Sequence, residues 1–208
     1  IYIKKHIVAF VITLIIFSVG ILIGLKISDS RISLITNTAR MQQTQFESIQ
    51  LQYAFLNAAE NASCAAFRIT LDQNVYDLEN ARLKLEGYLE EDAEKEEFII
   101  AKKEYMITEL RYWFLAKQAK KICGEDTVSV LFFYRRNVLC GSCSTQGVIL
   151  TYLKEIFKDR LLVFSLDIDA DEPMINILKS TYNITAAPSV VVEERVFYDL
   201  TTREELEK

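Results

Sequence analysis

The hydrophobic pattern divides the chain into three stretches. From Ile7 to Leu25 no position is charged, and Ile, Val, Leu and Phe dominate. About 20 such residues cross a bilayer as one helix, at about 1.5 Å per residue. A cleaved leader competes with this reading, because Lys4 and Lys5 precede the run. The run is longer than a leader core, however, and large aliphatics separate its small residues Ser18, Gly20 and Gly24. The expectation is an uncleaved transmembrane anchor over residues 1–27. Lys4 and Lys5 on one side, and Lys26, Arg31 and Arg40 on the other, leave the positive-inside rule nearly silent on orientation.

Residues 28–125 read as an all-α region. Ser28-Asp29-Ser30 offers helix caps, after which Ile32, Ile35, Ala39, Gln42, Phe46, Ile49, Tyr53 and Leu56 recur at gaps of three and four. That is a heptad seam on one helix face. A second helix is expected from Asn61, with Cys64, Phe67, Leu71, Val75, Leu78, Leu85 and Leu89 on one stripe. Glu90-Glu91-Asp92 reads as a turn. A third helix is expected from Lys95 to Lys121, with a broad apolar face that includes Ile99, Met106, Leu110 and Trp113. Three helices with short connections pack as an antiparallel bundle or hairpin-like coiled coil.

The period changes at Gly124. Val128 to Tyr134 is β-branched and aromatic, hence a buried strand. A helix is expected to about Lys158, a strand from Leu161 to Ile168, and a short helix from Pro173 to Tyr182. A strand at Ser189–Val192 follows Pro188, and Arg195–Tyr198 hairpins back beside it. Thr201-Thr202 caps a last helix.

Composition narrows the function classes. Among 208 residues, acidic and basic side chains are interleaved and the formal net charge is -5, so no basic surface for nucleic acid is present. No stripe reads as a cofactor box, and no cofactor is expected.

The four cysteines carry the candidate chemistry. Cys140-Gly141-Ser142-Cys143 lies between a strand and a helix, the context of a redox-active pair. A helix N-terminus favours a thiolate at Cys140, and Cys143 lies close enough to attack a mixed disulfide formed there. Zinc is the chemical alternative, but the only histidine is His6, and Cys64 and Cys123 would have to fold onto the motif. In an up-down-up bundle the start of the second helix and the end of the third share one end. That favours a structural disulfide between Cys64 and Cys123, worth about 3–4 kcal/mol, over two separate buried thiols. A disulfide implies an oxidising compartment, and hence an inside N-terminus with an extracytoplasmic C-terminal body. The sequons Asn61-Ala62-Ser63 and Asn183-Ile184-Thr185 are compatible with export.

From about residue 126 to 208 the chain resembles the thioredoxin superfamily. The resemblance is carried by the strand leading into Cys140-Gly141-Ser142-Cys143, by the strand Leu162–Ile168, and by Tyr182 to Ser189 followed by Val190-Val191-Val192. It implies an α/β thioredoxin-like domain in which Pro188 is cis and faces the redox pair, and in which the Ala187 backbone pairs with the substrate chain. Several positions depart from the family. Leu139 stands where Trp is frequent, and Ser142 replaces a common proline. Phe132 or a neighbour takes the place of a buried acid, and Ser165 that of a lysine. The loop at Arg136 to Val138 is longer, the first strand has no counterpart, and the final helix is short.

Two function classes follow. The first is a membrane-anchored thiol–disulfide oxidoreductase, with Cys140 and Cys143 catalytic, acting on protein thiols or disulfides and exchanging electrons with a redox partner protein. The second is a membrane-tethered interaction protein with a redox-inert thioredoxin-like domain, self-associating through the Ile32–Leu56 seam as a homo-oligomer.

Overall fold

The computed structural model describes residues 10, 12–21, 40–44, 46–52, 54–55, 64–88, 95–135 and 139–207. The chain forms two compact units, Ile1–Glu60 and Asn61–Lys208. In the first, residues 12–21 and most of 40–55 are helical. The remainder of the expected Ile7–Leu25 span lies outside the described residues. Among the described residues, no helix is long and apolar enough to cross a membrane. Of the heptad seam, Gln42, Phe46 and Ile49 fall on described helix; Ile32, Ile35, Ala39, Tyr53 and Leu56 lie outside it.

The second unit begins with an antiparallel helix pair, α1 (Cys64–Glu86) and α2 (Glu96–Cys123). Their direction is fixed by the Cys64–Cys123 disulfide at one end and the Lys84–Glu104 ion pair, at 2.5 Å, towards the other. The covered face of α1 carries Phe67, Asn74 and Ala81, spaced by seven, with the half-buried Leu71, Leu78 and Leu85 between them. Val75, expected on this stripe, is 46% exposed, and Leu89 lies outside the described residues. Ile99 is likewise 53% exposed rather than part of the buried face of α2. A strict three-four step from Phe67 reaches Asn74, one residue short of Val75, so the polar residue takes the buried position.

The sheet contains β1 (Val128–Tyr134), β2 (Leu161–Asp167), β3 (Ser189–Val192) and β4 (Arg195–Tyr198), in the order β2-β1-β3-β4. β1 is parallel to β2 and antiparallel to β3, and β4 completes a hairpin with β3. Both faces of β1 are covered, which explains why Ser129 is its only non-aromatic polar residue. Val130 and Phe132 pack with Leu150 and Leu153 of α3 (Cys143–Phe157). Leu131 and Phe133 face the other way, into a core with Met106, Leu110 and Trp113 of α2 and Ile175 and Leu178 of α4 (Pro173–Thr181). α2 is therefore a layer packed on the sheet as well as a partner of α1.

At the β3–β4 turn, Glu193 has a left-handed φ of 56°, a conformation that needs holding. Its backbone N–H donates to the Ser129 carbonyl at 2.9 Å, and its carboxylate accepts from the Ser129 N–H at 2.9 Å and Lys120 Nζ at 3.0 Å. α5 (Arg203–Leu206) starts with a capping box between Thr202 and Glu205.

Candidate redox site

β1 delivers the chain to the top of the sheet, where Leu139 is 61% exposed and Cys140 is buried. Gly141 and Ser142 turn the backbone, and Ser142 is the N-cap of α3 without a side-chain cap bond. Cys143, not Cys140, is the first helical residue. Its N–H donates to the Cys140 carbonyl at 3.3 Å, and the Gln146 N–H to the Ser142 carbonyl at 3.0 Å. The sulfurs of Cys140 and Cys143 are joined by a disulfide across a Cα–Cα distance of 5.4 Å. The pair is 7% and 4% exposed and sits in an apolar cluster with Val130, Phe132 and Val190. Phe132 thus lies in the same apolar cluster as both cysteines.

The Ala187-Pro188 peptide bond is cis. Pro188 is fully buried, while Ala187 is half-buried and packs against the cluster that holds both cysteines. The Ser189 hydroxyl donates to the Ala186 carbonyl at 2.8 Å, closing this turn. Leu139 and Gly141 beside the pair, and Thr185 and Ala186 ahead of the cis proline, are exposed. Chemically, this is a disulfide shielded from solvent by its apolar cluster.

Among the described residues, two ion pairs lie towards this end of the sheet. Arg135, directly after β1, pairs with Asp169 at 3.2 Å. Lys102 of α2 pairs with Asp167 at the end of β2, both largely buried.

Two buried polar residues carry no sequence signature. Gln146, one turn after Cys143, is fully buried, and its Oε1 accepts the Thr201 N–H at 2.8 Å. It ties the segment before α5 to the redox helix, and its Nε2 has no partner among the described residues. Glu109 of α2 lies on the opposite face of the sheet, along the open edge of β2. Its Oε1 accepts from the Ser165 N–H at 3.3 Å and the Tyr105 hydroxyl at 3.0 Å. Burial pushes its carboxyl up to about 8, against the opposing pull of those two hydrogen bonds. Burial also raises the Tyr105 phenol, as does the neighbouring Glu109. The backbone of Ser165 thus meets the carboxyl group of Glu109.

Cys64 and Cys123 are joined in a disulfide of Cα–Cα distance 5.3 Å. Cys123 precedes β1 and Cys140 follows it, so the two pairs lie at opposite ends of a seven-residue strand, about 20 Å apart at 3.3 Å per residue. They do not form one zinc site.

The sheet order, the strand–CxxC–helix connection and the cis proline define a thioredoxin-like α/β fold, joined to a helical region. Among solved structures the chain is similar to a malaria-parasite thioredoxin-2, described as a component of the protein secretion machinery. That match has 18% identity and a TM-score of 0.32, over 39% of this chain and 79% of that one. It is also similar to the germline-specific thioredoxin Deadhead of Drosophila melanogaster, at 19% identity and a TM-score of 0.33, over 47% and 86%. The J-Trx1 fragment of ERdj5 matches at 12% identity and a TM-score of 0.32, over 74% and 91%. No protein-family model matches the chain, and no curated protein matches it.

Proposed function

We propose that the protein is a membrane-anchored thiol–disulfide oxidoreductase whose C-terminal body works outside the cytoplasm on thiols or disulfides of other proteins. The observation that carries this reading is the Cys140–Cys143 disulfide at the start of α3, in one cluster with Ala187 of the cis Ala187-Pro188 turn. In the reduced enzyme Cys140 attacks a substrate disulfide as a thiolate. One substrate sulfur leaves with a proton, and a mixed disulfide forms. Cys143 then attacks Cys140, which releases the second substrate thiol and regenerates the Cys140–Cys143 bond. A redox partner protein returns two electrons; the opposite direction runs through the same intermediates. The Ala187 backbone pairs with the substrate chain.

The membrane assignment is supported by the helical residues 12–21, where Ile12, Leu14, Ile15, Ile16, Phe17, Val19 and Ile21 are all between 47% and 68% exposed. A helix apolar all round needs an apolar surrounding. The Cys64–Cys123 bond supports an oxidising compartment.

The test is turnover of a disulfide substrate by the full chain. Cys140→Ser should abolish it, and Cys143→Ser should accumulate mixed disulfides that thiol trapping detects. Undiminished turnover in Cys140→Ser would sink the assignment.

A further inference from the structure

The Cys64–Cys123 pair has a third neighbour. Both sulfurs and a carboxylate oxygen of Glu125 lie within 4.8 Å of one another, and all three residues are half-buried. Local sequence explains the grouping. Gly124 is the C-cap of α2 with φ of 69°, and its N–H donates to the Lys120 carbonyl. That left-handed turn, which glycine adopts at low cost, places Glu125 beside the helix end that carries Cys123. α1 begins at Cys64, directly alongside. The carboxylate also lies 3.6 Å from the guanidinium of Arg68, whose side chain is exposed.

We propose that the reduced chain binds a zinc ion through Cys64 Sγ, Cys123 Sγ and the Glu125 carboxylate, and that formation of the disulfide expels it. Two thiolates and one carboxylate form a borderline-soft donor set that suits Zn²⁺, with water as the fourth ligand. Tetrahedral zinc with Zn–S bonds of about 2.3 Å needs its two sulfurs about 3.8 Å apart. Cysteines with a Cα–Cα distance of 5.3 Å reach that separation by side-chain rotation.

Every chain is synthesised with its cysteines as thiols, so this state precedes the disulfide. On binding, each thiol loses a proton and donates to the metal. When a disulfide oxidant arrives, it takes up two electrons and two protons and becomes two thiols. The Cys64–Cys123 bond forms, and Zn²⁺ returns to water. The ion thereby holds α1 against α2 before oxidation and keeps these two thiols from pairing with Cys140 or Cys143.

The experiment uses the full chain carrying Cys140→Ser and Cys143→Ser, so that no thiol of the redox site takes metal. It is reduced with a phosphine without air and titrated with zinc against a chromophoric chelator. One zinc per reduced chain is expected, and none in the oxidised chain. Cys64→Ser and Glu125→Gln should each weaken binding tenfold or more. Arg68→Ala, which frees the carboxylate without removing a ligand, should tighten it. Cobalt(II) in place of zinc should show thiolate-to-metal charge transfer. The site is overturned if the reduced chain takes up no stoichiometric zinc, if reduced and oxidised chains bind alike, if Glu125→Gln binds as tightly as its parent, or if Arg68→Ala weakens binding.

Discussion

Glu109 is a carboxyl group placed where water cannot reach it, between α2 and the open edge of β2. Its Oε1 receives two hydrogen bonds, while Oε2 is buried with no partner among the described residues. Burial raises its value from 4.5 to about 8, which favours the neutral acid in the fold. The consequence for stability has a definite sign. Below 4.5 the folded and unfolded chains both hold the proton. From 4.5 to about 8 only the folded chain holds it, so stability falls as pH rises through this window. Above it, the folded state carries the full penalty of a buried carboxylate. Glu109→Gln, neutral at every pH, should flatten this slope. Urea unfolding of parent and variant across the window measures it, and equal slopes in both would refute the assignment.

At the scale of elements, the disulfide between α1 and α2 closes a loop of sequence separation 59. Opening it with a Cys64→Ser, Cys123→Ser pair should cost about 3–4 kcal/mol, most of it through the unfolded chain. Denaturant midpoints of the paired variant and its parent measure this, and a difference below about 1 kcal/mol would mean that the unfolded chain is already restricted. The elements of the sheet were legible because each announces itself locally. Val128–Tyr134 is β-branched and aromatic at most positions, Pro173 opens a helix, and Thr202 with Glu205 forms a capping box. α2 was legible as a helix but not in its role. Ala101, Thr108 and Leu115, spaced by seven, are buried along one line of α2, while Met106, Leu110 and Trp113 face the sheet. Periodicity shows that such a helix is apolar on two sides without saying what each side meets. Asn74 and Gln146 escaped for the complementary reason: a buried polar residue reads as surface until its partner is known.

At the scale of the molecule, α2 decides what can fold alone. The sheet has four strands, and one of its two faces rests on Met106, Leu110 and Trp113 of α2 together with α4. Cutting before residue 126 would expose Leu131, Phe133, Phe164 and Leu166, all now 2% exposed or less. It would also remove Glu109 from the Ser165 N–H and Lys102 from Asp167, leaving the edge of β2 bare. An open, apolar strand edge invites pairing between chains. A fragment of residues 61–208 should therefore unfold in one cooperative transition and retain the Cys140–Cys143 couple. A fragment of residues 126–208, although it contains every strand and both redox cysteines, should aggregate or bind a dye specific for exposed apolar surface. Cooperative unfolding of the shorter fragment, with native-like near-ultraviolet dichroism, would show instead that α2 is an appendage to the domain and not one of its layers.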